Sequence, residues 1–258
     1  MSVSRAASAS SAQPMIALTN ISLSMPSRAG TVDILNNVTV KINAGETVAV
    51  LGPSGAGKTT AMMVMAGLEG VTKGQVVVAG HDLNALDEDR LAEIRRDHIG
   101  IIFQAFRLIP SMTALENVAI PLELEGAKDA FERAQVALTD VGLGHRIDHF
   151  PDQLSGGEQQ RVAIARAIVT GPDILLADEP TGNLDQATGG EIMDLLMETA
   201  AKHGTSLVLI THDEALATRL SRIIRIADGA ISEDRKTTPA KKAPAKKTSA
   251  KKTTKKKA

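Results

Sequence analysis

The 258-residue sequence predicts an α/β fold with a mostly parallel sheet, on three observations. Short β-branched runs alternate with helical segments. A glycine-rich stretch, Gly52 to Thr59, joins one such run to a helix. The stretch from about 105 to 170 lacks strand runs and is punctuated by Pro110, Pro121 and Pro151, which marks it as a separate helical lobe.

The strand runs, in order, are "TVAVLG" (47–52), "QVVVAG" (75–80), "IGIIFQ" (99–104), "ILLAD" (174–178), "SLVLIT" (206–211) and "IIRIAD" (223–228). Apolar runs this continuous suit strands buried on both faces. Helical patterns follow several of them, over Lys58 to Leu68, Gln186 to Ala201 and Glu214 to Leu220. Within the lobe, "LSGGEQQR" (154–161) opens a helix with a capping box, Ser155 and Glu158. Gly156 and Gly157 then occupy its first turn, where each costs about 1 kcal/mol relative to Ala. Something other than helix formation favours them.

Gly52, Pro53, Ser54, Gly55, Ala56, Gly57, Lys58 and Thr59 follow the strand "TVAVL" and, with Thr60, open a helix, the context a phosphate-binding loop requires. Its backbone N–H groups are expected to cradle phosphates at the helix N-terminus. Lys58 would reach the β and γ phosphates and Thr59 would ligate Mg²⁺. The alternative is an ordinary glycine-rich strand-to-helix turn.

Asp178 and Glu179 end the apolar strand "ILLAD", where ligands collect in open α/β sheets. Asp178 suits the water-mediated Mg²⁺ shell, and Glu179 suits orienting and deprotonating an attacking water. A solvated strand end is the plainer alternative. His212 in "THDEA", Gln104 at the end of "IGIIFQ" and Asp185 in "TGNLDQATG" each have structural explanations when taken singly. Thr211 and Asp213 would cap the helix after His212, and Asp185 would cap the helix after it.

Taken together, the phosphate loop, Gln104, "LSGGEQQ", "LLADEP", "GNLD" and "THD" resemble the ATP-binding subunit of an ABC transporter in order and approximate spacing, over Met15 to Asp234. Within that family, "HIGIIFQAFRLIPSMTALENVAIPL" and "ADEPTGNLD" are similar to the bacterial lipoprotein-release and macrolide-export group. The resemblance implies a P-loop NTPase (RecA-like) core, an antiparallel β subdomain and a helical lobe. It implies ATP and Mg²⁺ as cofactors, ATP hydrolysis as the reaction, and a separate integral membrane subunit as partner. It further implies a peripheral position on the cytoplasmic face of the bacterial inner membrane.

By the same resemblance, Gln104 is a metal ligand and catalytic residue, His212 contacts the γ-phosphate, and Asp185 belongs to the nucleotide site. Family members pair head to tail around two ATP molecules. Ser155, Gly156 and Gly157 of one copy would thus meet the γ-phosphate on the other copy's loop, where glycine permits close backbone approach. The chain departs from the family before the phosphate loop, where an aromatic ring usually stacks on adenine. It contains neither Tyr nor Trp, and Met25 stands at about that position. Preference for ATP over GTP is therefore open. Two other roles stay in view, a soluble ABC-type ATPase acting on DNA or ribosomes and an importer's ATPase subunit.

Composition bounds the rest. Absence of cysteine rules out disulfides. No apolar run approaches the ~18 residues of a membrane-spanning helix, and the first residues lack the apolar centre of a secretory signal, so a soluble or peripheral protein is expected. The net charge of −1 conceals an asymmetry. Ten Lys and no acid lie in Lys236 to Ala258, leaving 19 basic against 30 acidic residues elsewhere, a net of −11. The expected organisation is a disordered leader (1–14), one ATPase domain (15–234) and a disordered Lys-rich tail (235–258). That tail would meet anionic lipid in preference to nucleic acid.

Overall fold

The computed structural model describes residues 13–27 and 30–237. The expected leader, apart from Gln13 and Pro14, and the tail beyond Thr237 lie outside the described residues.

The chain opens with a long hairpin, β1 (Ile16–Ser27) and β2 (Gly30–Ile42). Then come β3 (Thr47–Leu51), α1 (Lys58–Met65), β4 (Lys73–Val78), β5 (His81–Asp82), α2 (Glu88–His98) and β6 (Ile99–Ile102). The lobe holds α3 (Ala114–Leu124), α4 (Ala130–Asp140) and α5 (Gly156–Ile168), which pack on one another, and no described strand falls within it. Next follow β7 (Ile174–Asp178), α6 (Gln186–His203), β8 (Ser206–Ile210), α7 (Glu214–Ala217), β9 (Arg222–Ala227) and β10 (Ala230–Lys236).

Two sheets result. The larger runs β10-β9-β3-β8-β7-β6 and is parallel except for β10; the smaller, antiparallel sheet runs β2-β1-β4-β5. The continuous apolar runs are explained by two cores, one on each face of the larger sheet. Val48, Val50, Ile174, Leu176, Val208 and Ile210 face the smaller sheet. Their neighbours Ala49, Leu51, Leu175, Ala177, Leu207 and Leu209 face the helical lobe and α6. Strict alternation within an all-apolar run is what a strand covered on both faces needs. Helix α1 packs against β2, β4 and β7, and its Ala61, Met62, Val64 and Met65 are all buried there.

Three features depart from expectation. "QVVVAG" forms β4 in the antiparallel sheet, not a strand of the parallel one. Only Val76 and Val78 of its run are fully buried, and a run of three valines is too short to distinguish one covered face from two. The hairpin β1–β2 was not apparent because bulges break its period of two, with Asn20 and Asn37 both at φ 50°. Finally, β10 runs past Asp234, so Arg235 and Lys236, expected in the tail, lie in a strand. Arg235 and Lys236 pair with Ile223 and Arg222 through the backbone, and Thr237 N–H donates to Ser221 O at 2.9 Å. Backbone pairing is indifferent to the positive charge that marks these residues as tail.

Candidate nucleotide site

The loop between β3 and α1 is held in one shape by contacts a larger residue would forbid. Gly52 has φ 155°, and a Cβ there would fall 2.2 Å from Ile226 O. Gly57 has φ 96°, and a Cβ there would fall 2.8 Å from Ile34 O. Gly57 caps α1 without a side-chain bond, and the first helical bond is Ala61 N–H to Gly57 O at 2.8 Å. The N–H groups of Lys58, Thr59 and Thr60 precede that bond and point out of the helix end. Lys58 is 8% exposed and donates from Nζ to Pro53 O at 2.9 Å, so its ammonium is fixed against the loop.

Thr59 Oγ1 donates to Asp178 Oδ2 at 3.0 Å, bringing the start of α1 to the end of β7. Burial pushes the Asp178 carboxyl above its usual value, opposed by the bond from Thr59. A carboxylate made costly by burial is stabilised by a nearby cation. Successive strand residues point to opposite faces, yet Asp178 and Glu179 both line the cleft. The left-handed backbone at Glu179, φ 43°, breaks the alternation, with its N–H donating to Ile210 O at 3.0 Å. His212 Nδ1 lies 3.4 Å from Glu179 Oε2, with the His212 side chain largely exposed.

These groups line one cleft of about 630 Å³, with Gly52, Ser54, Gly55, Gly57, Lys58, Thr59, Thr60, Gln104, Asp178, Glu179 and His212 all on its wall. Pro53 and Ala56 are not on that wall: Pro53 is exposed and offers its carbonyl to Lys58, and Ala56 is buried. Ile34 of β2 also lines the cleft, although nothing in its local sequence marks it. Met25 does not. It pairs with Val32 near the end of the hairpin and is half-buried against the core.

Ser155, Gly156, Gly157 and Asp185 are likewise absent from the cleft wall. Ser155 Oγ accepts from Glu158 N–H at 3.3 Å while Glu158 Oε2 accepts from Ser155 N–H at 2.9 Å, the capping box of α5. Those bonds from Ser155 hold the Glu158 carboxyl below its usual value. A Cβ on Gly157 would fall 2.7 Å from Thr188 Cγ2, so packing against α6 supplies one reason for glycine within the chain itself. Asp185 caps α6, accepting from the N–H groups of Ala187 and Thr188 at 3.1 Å each, and the Thr188 hydroxyl bond lowers its pKa. Asp213 caps α7 in the same way. Asn183, which sequence reasoning passed over, donates from Nδ2 to Gln104 O at 2.8 Å.

The metal reading fits the donors present. The Asp178 carboxylate and the Thr59 hydroxyl are hard oxygen ligands, and the Gln104 side chain shares their cleft. No group of three or more His, Cys, Asp or Glu among the described residues would hold a metal alone. A cation here would complete its shell with phosphate oxygens, as Mg²⁺ commonly does.

The chain matches the family model described as "ABC transporter" over residues 35–182, more than half its length. It belongs to the ABC transporter family. As an ABC transporter ATP-binding subunit it binds and hydrolyses ATP. It is 48% identical over 203 residues to the "Uncharacterized ABC transporter ATP-binding protein YbbA" of Escherichia coli (strain K12), covering 78% of this chain and 89% of that one. It is 46% identical over 205 residues to the "Lipoprotein-releasing system ATP-binding protein LolD" of Geobacter metallireducens, covering 79% and 91%. Among solved structures, the ATP-binding cassette MJ0796, in a dimeric post-hydrolysis state bound to ADP and Pi, superposes with a TM-score of 0.81 at 41% identity. That match covers 88% of this chain and all of the other.

Proposed function

We propose that this ABC ATPase powers export or substrate extraction through a separate integral membrane subunit, as its relative LolD is named for a lipoprotein-releasing system. Two copies would pair head to tail. The separation of Ser155, Gly156 and Gly157 from the cleft that gathers the other phosphate-facing groups supports this, because the pairing returns them to a nucleotide. The dimeric state of the related cassette MJ0796 is consistent with it.

In the proposed site the loop N–H groups and Lys58 bind the phosphates. Thr59, Asp178 and Gln104 would hold Mg²⁺, which when bound neutralises charge on the β and γ oxygens. Glu179 orients the attacking water and takes its proton, and His212, beside Glu179, steadies the γ-phosphate. Asp185 caps α6, whose Thr188 packs on Gly157 in the first turn of α5. Met25 would approach the base from the hairpin, packing through its polarizable sulfur.

No described helix is long and apolar enough to cross a membrane. Attachment to the cytoplasmic face of the inner membrane would then rest on the membrane subunit. Affinity capture of the tagged chain from detergent-solubilised membranes should recover an integral membrane protein in fixed ratio. Recovery of ribosomes or DNA instead would favour the soluble ATPase role.

The Lys-rich tail adds a second attachment. "KKAPA", "KKTSA" and "KKTTK" repeat every five residues from Lys241. On a helix each repeat would turn by about 140°, spreading the lysines round every face. Each Lys near an anionic bilayer contributes roughly 1 kcal/mol, so even half of them engaged would tether the protein. Deleting residues 238–258 should leave ATPase activity nearly unchanged and weaken co-sedimentation with anionic liposomes at low salt. Equal sedimentation of the truncated and full-length chains would end the tethering idea.

A further inference from the structure

Directly after Gln104 the backbone enters a conformation that side chains disfavour. Phe106 and Arg107 have φ of 49° and 50°, two consecutive left-handed residues that are not glycine. Such strain persists only where the surroundings over-determine it. Here Arg166, near the C-terminal end of α5, donates from Nη2 to Phe106 O at 2.9 Å and from Nη1 to Arg107 O at 2.8 Å. Both prongs of one planar guanidinium thus take the two carbonyls of the strained turn. Burial pushes the Arg166 guanidinium below its usual value, so the cation is held at a desolvation cost.

The turn is fixed from other directions as well. The Arg107 guanidinium stacks directly on the Phe103 ring, 4.0 Å from its centroid, tying together the residues on either side of Gln104 in the chain. Asn183 holds the Gln104 carbonyl. Downstream, the buried Asn117 accepts from Ile109 N–H at 2.8 Å and donates to the carbonyls of Ile109, Met112 and Thr113. Helix α5 is itself seated on the strand that leads to Gln104: a Cβ at Gly100 of β6 would fall 2.2 Å from Ala167 O.

We propose that Arg166 is a positioning residue for Gln104, setting its side chain in the nucleotide cleft by clamping the turn that follows it. Ser155 and Arg166 lie at opposite ends of α5, about 16 Å apart along the helix axis. A displacement of the Ser155 end is therefore carried to the Gln104 turn by one rigid element. The proposal rests on Gln104 acting at the nucleotide, as stated above.

The test is a double-mutant cycle on the full chain, using Arg166→Lys, Gln104→Ala and the combination. Lysine keeps the charge but lacks the two-pronged geometry. Arg166→Lys should lower kcat about tenfold with KM for ATP within about twofold. It should also raise amide hydrogen exchange over residues 105–108 in the nucleotide-free protein while other segments keep their protection. In the Gln104→Ala background the same change should cost little further activity. Full additivity of the two losses, or unchanged exchange at 105–108, would overturn the proposal. If Gln104→Ala alone keeps the parent kcat, it is the assignment of Gln104 that fails. Should Arg166→Lys not fold, Arg166→Gln takes its place, and failure of both to fold makes Arg166 a residue of the fold and overturns the proposal.

Discussion

Glu179→Gln is expected to bind ATP as the parent does and to hydrolyse it about 10²–10⁴-fold more slowly, the range set by loss of a general base. The substitution is isosteric and leaves the bond that fixes the turn untouched, because Glu179 donates to Ile210 O through its backbone N–H. What is lost is the carboxylate that faces the cleft beside His212. Lys58→Ala should behave differently. Its ammonium is held on the phosphate loop by Pro53 O, so removing it weakens nucleotide binding itself. Titration with a fluorescent ATP analogue and single-turnover hydrolysis separate the two. Hydrolysis by Glu179→Gln at the parent rate would remove Glu179 as the base. A fall in His212→Ala comparable to that in Glu179→Gln would follow from their shared position.

Ser155→Arg should abolish turnover in the pure protein and regain it on mixing with Lys58→Ala. In a head-to-tail pair of the two variants, one site carries both lesions and the other neither. With equal mixing, half of the dimers are mixed and each has one sound site, so roughly a quarter of parent activity would return if the sites act independently. Loss of the capping box is not enough to explain inactivity, since a missing N-cap costs only about 1 kcal/mol. Ser155→Thr, which keeps the cap, should stay active. Light scattering on Glu179→Gln with ATP and Mg²⁺ supplies the physical companion, with a shift from monomer to dimer expected. A persistent monomer at high concentration would overturn the pairing for the isolated subunit.

Legibility varied with how local each feature is. The phosphate loop could be found because its function depends on contiguous backbone, and its residue types follow from a tight turn against a helix end. The capping box of α5 was equally plain, since Ser155 and Glu158 are three residues apart and bond each other. Strands β3, β7 and β8 were visible because burial on both faces keeps four consecutive positions of each apolar, with a polar residue only at one end. The hairpin β1–β2 was not, because its bulges shift the register three times and scramble the alternation. Charge was misleading at the C-terminal end, where Arg235 and Lys236 are expected in a disordered tail while their backbones complete β10.

By itself the sequence determined the chemistry of the site: a loop for phosphates, two carboxylates at the end of a buried strand, and a helix opened by Ser-Gly-Gly. Tertiary structure decided how those pieces face one another. It placed Thr59 on Asp178 across 119 residues and turned Glu179 into the same cleft as Asp178. It set Gly157 against Thr188 and left the Ser155 end of α5 outside the cleft. It also tied Arg166 to Phe106 across 60 residues. Contacts within a turn or a helix end repeat at fixed short spacing and so leave a pattern in the chain. Contacts between distant segments depend on strand order and helix seating, which carry no spacing that a single sequence displays.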